Sequence, residues 1–339
     1  RMEAFLVSAS NTIELQVEQE TLEFKTPLRI SGRTFTSFPA IVVTLRDGDF
    51  SGRGEATGVY YRDGGPDDMV RQIEGVRPAI ERGADRATLQ TLLPKGGARN
   101  ALDCALWDID AKRSRKSVAE MAGVAPLRTL RTTFTLSADE PQAVAAAATA
   151  WTQAQALKLK LAGDNEDAAR VKAARDARPD AWLGVDANQG FTRKSLEELM
   201  PTLLAANVQM VEQPFAIGRE GDLDGFDSSI PVAADESAQG IDDLPGLVGR
   251  FDIVNIKLDK CGGLTEALAM ARRIRELGMQ PMVGCMGGSS LAMAPAFVVG
   301  QLCDYVDLDA PLWLASDRQP AAQYGDGNIF CPEMLWGGA

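Results

Sequence analysis

The rhythm of apolar and polar positions changes near residue 130. Before it, residues 4–8, 14–17 and 40–46 read as strands, with Asp47-Gly48-Asp49 as a turn. Residues 24–38, rich in Lys, Arg, Thr, Ser and Gly, read as a mobile loop. From 67 to 122 the period becomes helical. Pro66 and Asp67 open one helix, and a longer one over about 98–112 carries Leu102, Ala105, Leu106 and Ile109 on one face. Strands followed by helices predict a small α+β domain over residues 1–129.

Beyond residue 130 short apolar runs recur at 132–136, 157–161, 182–187, 210–213, 231–235, 253–258, 281–286 and 305–308. Amphipathic helical stretches fill most intervals, at 165–177, 194–206 and 264–277, and the Ala-rich stretch 143–156 reads as a packed helix. Eight strands alternating with helices predict an α/β fold closed as a (β/α) barrel over residues 130–314. A doubly wound open sheet would carry a Gly-rich phosphate loop after its first strand, and none is present.

The polar residues inside those strands are the informative ones. Lys158 and Lys160 fall in the second strand, Asp186 in the third, Glu212 in the fourth and Asp235 in the fifth. Lys257 falls in the sixth, Cys285 ends the seventh, and Asp307 and Asp309 lie on the eighth. Because side chains alternate along a strand, Lys158 and Lys160 share a face, as do Asp307 and Asp309. A strand of a parallel sheet is apolar on both sides, and burying a charge there costs several kcal/mol unless it is paired or bound to a metal. Taken singly, each is more often a solvated face or a turn former. A full circuit of them, each late in its strand where barrel enzymes keep their chemistry, is not explained that way.

Composition narrows the chemistry. The 339 residues include no histidine, which excludes Ser-His-Asp triads, Cys-His pairs and His-based zinc sites. A net charge of −12 argues against nucleic acid and anionic membranes as partners. No leader-like segment opens the chain and no apolar run is long enough to span a bilayer. Five scattered cysteines without a C-x-x-C pair suit reduced thiols in the cytoplasm. What remains is carboxylates, lysines and a hard cation acting on a small molecule, with self-association left open.

The ordered motifs LKLKL (157–161), VDANQG (185–190), VEQP (211–214), ADES (234–237), NIKLDKCGG (255–263), GCM (284–286) and VDLD (306–309) resemble the enolase superfamily. With ARNALDCALWD (98–108), they resemble its muconate-lactonizing-enzyme subgroup, and within that the dipeptide epimerases. The resemblance implies a modified TIM barrel, (β/α)7β, under a capping domain completed by the C-terminal tail 315–339. It implies Asp186, Glu212 and Asp235 as ligands of one Mg²⁺, Lys160 and Lys257 as opposed acid/base lysines, and Lys158 as the partner that helps keep Lys160 neutral by like charge. Mg²⁺ against the substrate carboxylate would stabilise an enediolate while a neutral lysine takes the proton; the enolase superfamily is a stock example of this pairing. Asp307 and Asp309 resemble the receptor for a dipeptide's α-ammonium, with Cys285 and Met286 beside it. Arg29 in KTPLR (25–29) resembles a reader of a substrate side-chain carboxylate, with Arg33 and Arg62 as substitutes. The expectation is epimerisation of an Ala-Glu-like dipeptide. The alternatives are racemisation of an N-acylamino acid such as N-acetylglutamate, then cycloisomerase or o-succinylbenzoate synthase activity, and last a non-catalytic barrel that binds a metabolite.

Overall fold

A computed structural model describes residues 13–30, 32–62 and 64–339. The strand expected at residues 4–8 lies outside the described residues. Strands β1 (Glu14–Ile30), β2 (Arg33–Asp47) and β3 (Phe50–Ala56) form an antiparallel sheet. Helices α1 (Pro66–Glu81), α2 (Arg86–Leu92), α3 (Gly97–Ser114) and α4 (Val118–Ala122) follow. Ile41, Val43 and Leu45 alternate along β2 and are buried against Ile73, Ala101, Leu102, Ala105 and Ile109. Helix α3 can approach β3 closely because Gly52 and Gly54 face it. A Cβ at either position would collide with the backbone of Ala105 or Ala101.

The expected mobile loop at 24–38 is instead the far half of a long hairpin. Residues 14–23 pair with 37–46, the register slips between Glu23 and Leu28, and pairing resumes at Leu28–Phe35. Its Thr, Phe and Ile residues are good strand formers, and a hairpin exposed on one side tolerates the intervening Lys and Arg that suggested a loop. Gly32, at φ +71°, makes the turn.

Short β4 (Leu130–Arg131) leads into eight parallel strands: β5 (Thr133–Leu136), β6 (Ala156–Lys160), β7 (Trp182–Asp186), β8 (Met210–Glu212), β9 (Val232–Ala234), β10 (Ile253–Ile256), β11 (Gln280–Val283) and β12 (Tyr305–Val306). They are hydrogen-bonded in chain order. Helices α5 (Pro141–Ala150), α6 (Asp167–Ala177), α7 (Arg193–Ala205), α8 (Leu258–Cys261), α9 (Leu264–Glu276) and α10 (Ser290–Gly300) accompany them. Only short 3₁₀ turns, Glu220–Leu223 and Ile241–Leu247, follow β8 and β9. The Ala-rich helix stops at Ala150 rather than reaching 156, since Ala156 already belongs to β6. Between first and last strand, side chains make the seam. Leu308 N donates to Thr132 Oγ1 at 2.9 Å, Thr135 N to Asp309 Oδ2 at 2.7 Å, and Thr133 Oγ1 to Asp307.

After residue 314 the chain runs back over both parts. Strand β13 (Gln323–Gly325) pairs with β14 (Asn328–Phe330), which pairs with β4, and Trp336 Nε1 donates to Arg53 O at 2.8 Å. Arg318 bridges Glu20 and the fully buried Glu55, which also accepts from Ser289 N at 2.7 Å. Helix α3 joins the N-terminal sheet to the barrel: Asn100 Nδ2 and Gly58 N both donate to Asp259 Oδ1, at 3.2 and 3.0 Å. These contacts set the hairpin over the carboxyl ends of the barrel strands. No helix among the described residues is long and apolar enough to cross a membrane.

Candidate active site

Strand ends bring the expected residues together. One carboxylate oxygen from each of Asp186, Glu212 and Asp235 lies within 4.8 Å of the others, and all three residues are buried. The lysines flank this triad. Lys160 Nζ donates to Asp186 Oδ2 at 2.6 Å on one side, and Lys257 Nζ to Asp235 Oδ2 at 2.7 Å on the other. Register explains the spacing, since Lys160 is level with Asp186, and Asp186 with Glu212, on adjacent parallel strands.

The backbone beside the ligands is held in an uncommon region. Asn188, Gln189 and Gln213 take φ of +42°, +68° and +34°, just past Asp186 and Glu212. Non-glycine residues there carry strain that surrounding structure must sustain, a pattern that clusters at functional sites. Gln213 is held by bonds from Nε2 to Phe215 O and Ser237 Oγ, both at 2.8 Å.

Charge is out of balance in this interior. Asp186, Glu212, Asp235, Glu236, Asp307 and Asp309 are buried, against Lys158, Lys160, Lys257 and Lys260. Six carboxyl groups face four lysine side chains, and so many acids in one buried space suit a cation among them. The strain of that excess is visible. Burial and then the charges of Asp235 and Asp186 push Glu236 up to about 8. Burial and then Asp307 push Asp309 up to about 6. Glu212 is raised by burial and by Asp186, and its Oε2 makes no hydrogen bond. That oxygen lies 3.3 Å from Lys158 Nζ, and its residue belongs to a buried three-carboxylate set that suits a hard cation such as Mg²⁺, which favours oxygen donors.

Lys158 sits beneath the triad. It pairs with Asp307 and lies 3.3 Å from Glu212 Oε2 and 3.8 Å from Asp186 Oδ2. Burial opposes its charge, but Asp307, Glu212 and Asp186 hold its ammonium well above the usual range, so it is a fixed cation beside Lys160. For Lys257 burial likewise opposes the charge, and Asp235 and Glu212 outweigh it.

Asp307, Asp309, Cys285 and Met286 line a pocket above Lys160, closed by Phe24, Leu28, Phe38 and Trp313. Arg29 is not in that lining. Its guanidinium pairs with Asp139 at the barrel rim, where the Arg29 side chain is 54% exposed. Arg33 lies over the ring of Tyr60, 5.1 Å from its centroid. Arg62 donates to Gln239 Oε1 at 2.6 Å, on the flank of Glu236.

Sequence reasoning did not single out several neighbours. Lys260 Nζ donates to Asp235 Oδ1 at 2.6 Å and to Asn255 O at 3.0 Å, and Asn255 Nδ2 donates to Glu212 Oε1 at 2.6 Å. Both sit inside the motif 255–263, so a buried lysine three residues after Lys257 was a usable signal. Tyr60 and Tyr61 face the Lys257 flank; burial pushes Tyr60 up to about 12, with Lys257 pulling the other way. Nothing in residues 57–65 hinted at that placement.

A barrel with a carboxylate triad between two lysines defines a class of proton-transfer site, and sequence comparison agrees with it. Residues 12–123 match the mandelate racemase / muconate lactonizing enzyme N-terminal domain, and residues 142–334 the enolase C-terminal domain-like family. The chain belongs to this mandelate racemase / muconate lactonizing enzyme family of the enolase superfamily. It is 41% identical to an N-acetyl-D-glutamate racemase of a Pseudoalteromonas species, over 88% of this chain and 95% of that protein. It is 39% identical to the L-Ala-D/L-Glu epimerase of Escherichia coli K12, over 93% and 98%. An enolase family member from Agrobacterium tumefaciens with homology to dipeptide epimerases, solved with sodium and L-Ala-L-Glu, superposes with a TM-score of 0.93 at 38% identity, covering 96% of this chain and all of that one.

Proposed function

We propose that this protein is a Mg²⁺-dependent dipeptide epimerase, an isomerase that inverts the carbon next to the carboxylate of an Ala-Glu-like dipeptide. The observation that carries the reading is the pair of lysines, each bonded to an outer member of the carboxylate triad. Lys160 and Lys257 thereby flank a bound carboxylate. One removes the α-proton and the other returns a proton to the opposite face, which inverts the centre. A binding module has no use for a lysine on both sides.

Asp186, Glu212 and Asp235 hold the cation, with Lys260 and Asn255 fixing Asp235 and Glu212. A Mg²⁺ held there would supply positive charge against a substrate carboxylate, and would offset the carboxylate field that favours the ammonium form of Lys257. Lys158 stays charged beside Lys160, a fixed cation next to the lysine of that flank. Asp307 and Asp309 receive the α-ammonium of the first residue, with Cys285 and Met286 alongside. Arg29 reads a side-chain carboxylate only by exchanging its bond to Asp139; Arg62, on the Lys257 flank, is its counterpart. We take residues 1–129 with 315–339 as the cap and 130–314 as the barrel, a division supported by the way Arg318 and Trp336 bind the N-terminal sheet.

The second reading is an N-acylamino-acid racemase. It is favoured by the existing bonds of the two aspartates to Lys158, Thr133 and Thr135, which leave less capacity for an ammonium. Incubation with Mg²⁺ in heavy water separates them: α-deuteration and inversion of Ala-Glu supports the epimerase, and of N-acetylglutamate alone the racemase. Absence of exchange in both, and in libraries of each class, overturns the proton-transfer reading.

A further inference from the structure

Asp307, Leu308 and Asp309 lie past the end of the sheet ladder. Strand β12 ends at Val306, and the last bond to β11 runs from Asp307 N to Val283 O at 2.9 Å. On its other edge β12 has no strand partner, because it stands at the end of the hydrogen-bonded order. Leu308, between the two aspartates, is fully buried, and side chains bond its backbone in place of a strand. Its N–H donates to Thr132 Oγ1 at 2.9 Å, and its carbonyl accepts from Tyr324 Oη at 2.5 Å. A buried carbonyl left without a partner is costly, so the tyrosine hydroxyl meets a definite demand there.

Tyr324 belongs to the C-terminal tail, and the tail is fastened on both sides of it. Upstream, Ser290 at the start of α10 donates from its N to Asp317 Oδ1 at 2.8 Å, and its Oγ accepts from Ala322 N at 2.8 Å. Downstream, Tyr324 pairs with Ile329 across the β13–β14 hairpin, and Ile329 pairs with Leu130 of β4. The turn of that hairpin returns to the same place, since Gly327 O accepts from Thr132 N at 3.0 Å. Thr132 therefore joins the turn to Leu308 N, and Tyr324 joins the hairpin to Leu308 O. The two bonds grip one residue from opposite sides.

We infer that Tyr324 is a positioning residue for the amine receptor: its hydroxyl holds the Leu308 carbonyl and so fixes the directions of Asp307 and Asp309. The inference rests on the proposed placement of the substrate's α-ammonium at those two aspartates. Side chains alternate along an extended chain, so 307 and 309 leave on one side and 308 on the other. A turn of the peptide unit between Leu308 and Asp309 therefore re-aims the second aspartate against the first. The bonds of Asp307 to Thr133 and Lys158, and of Asp309 Oδ2 to Thr135 N, restrain the carboxyl ends. Tyr324 and Thr132 restrain the backbone between them. Groups that grip a ligand work only when held to within about 0.5 Å by the residues behind them. The Tyr324 hydroxyl bonds backbone and neither Lys160 nor Lys257, so its effect falls on substrate binding rather than on proton transfer.

The test follows α-deuteration by the whole protein with Mg²⁺ in heavy water, on Ala-Glu or whichever Ala-Xaa dipeptide exchanges fastest. Tyr324→Phe keeps the ring and deletes only the hydroxyl. KM is expected to rise about three- to tenfold, the span of one hydrogen bond, with kcat within about twofold of the parent. The same change made in Asp309→Asn should raise KM by less than about twofold, because the contact being positioned is already weakened. Independent sites would instead multiply their losses. An unchanged KM, a loss confined to kcat, or an equal KM ratio in both backgrounds overturns the inference and leaves the epimerase reading intact. Should Tyr324→Phe not fold, Thr132→Val, which removes the acceptor of Leu308 N, takes its place with the same expected and overturning results. No exchange of any Ala-Xaa dipeptide by the unaltered protein overturns the epimerase reading itself, and this inference with it.

Discussion

The two flanks of the barrel mouth carry the same residue type in unlike surroundings. On one flank Lys160 bonds Asp186, has the fixed ammonium of Lys158 nearby, and looks into an apolar pocket edged by Asp307 and Asp309. On the other, Lys257 bonds Asp235 and feels Glu236 and Tyr60, and beyond Glu236 lies the Tyr61–Gln239–Arg62 network. In the proposed epimerase an inversion needs a proton-transfer group on each face, which the matched lysines would supply. It needs no symmetry in what surrounds them. On the proposed reading the first flank grips one end of a substrate, whereas the second has a buried carboxylate and a polar network. The triad between them is common property.

The strongest perturbation removes what the flanks share. Exhaustive chelation is expected to reduce turnover below detection, with recovery on adding Mg²⁺. Mg²⁺ at a hundredfold over its dissociation constant should also stabilise the fold by about 2.7 kcal/mol, read as a shift in Tm. Full activity after chelation would mean that the lysines alone balance the carboxylates.

Next come the lysines one at a time. Lys160→Ala and Lys257→Ala should each lower interconversion by about 10²–10⁴-fold, the usual contribution of one general acid–base group. Each variant should still exchange the α-proton of one enantiomer, and the two should differ in which one. If both exchange the same enantiomer, the flanks do not face opposite sides of the substrate.

That contrast also marks what the sequence made legible. Charges inside apolar strands are costly, so Lys158, Lys160, Asp186, Glu212, Asp235 and Lys257 stood out against their runs; the parallel register sets Lys160, Asp186 and Glu212 level, while Asp235 and Lys257 lie one residue past the ends of β9 and β10 rather than inside them. The hairpin at 24–38 was misread because its polar residues face water while Phe24, Leu28 and Phe38 face the barrel. An element that borrows its apolar partner from a distant part of the chain shows no core of its own. Arg29 was picked from a motif, yet its direction is set by Asp139, 110 residues away, which no local pattern reveals. The same holds for Asp307 and Asp309, whose bonds to Thr133 and Thr135 close the barrel seam as well as edge the pocket.

A smaller effect separates those two duties. Asp309→Asn removes one charge facing the proposed ammonium and keeps an acceptor for Thr135 N. It should cost about 1.5–3 kcal/mol, or roughly ten- to a hundredfold in kcat/KM, on a free-amine dipeptide. An N-acetylamino acid should lose much less, and Mg²⁺ affinity should hardly change. Equal losses on both substrates would assign Asp309 to the seam alone.

The gentlest probe of the same flank is pH. Asp309 is pushed up to about 6 by burial and by the neighbouring charge of Asp307. Its carboxyl is therefore neutral below that pH and charged above it. A dipeptide ammonium should bind well only above it, so kcat/KM for the dipeptide falls as the solution is acidified through about 6. The fall is about twofold at pH 6 and approaches the Asp309→Asn loss roughly one to two units lower. A bound ammonium favours the carboxylate, so in the complex the group titrates lower and kcat should keep its value to a more acid pH. The limb should therefore appear in kcat/KM and not in kcat, vanish in Asp309→Asn, and be absent for an N-acetylamino acid. An identical acid limb in the Asn variant would place the titration elsewhere, and the lysine flank would lose its claim to recognise an amine.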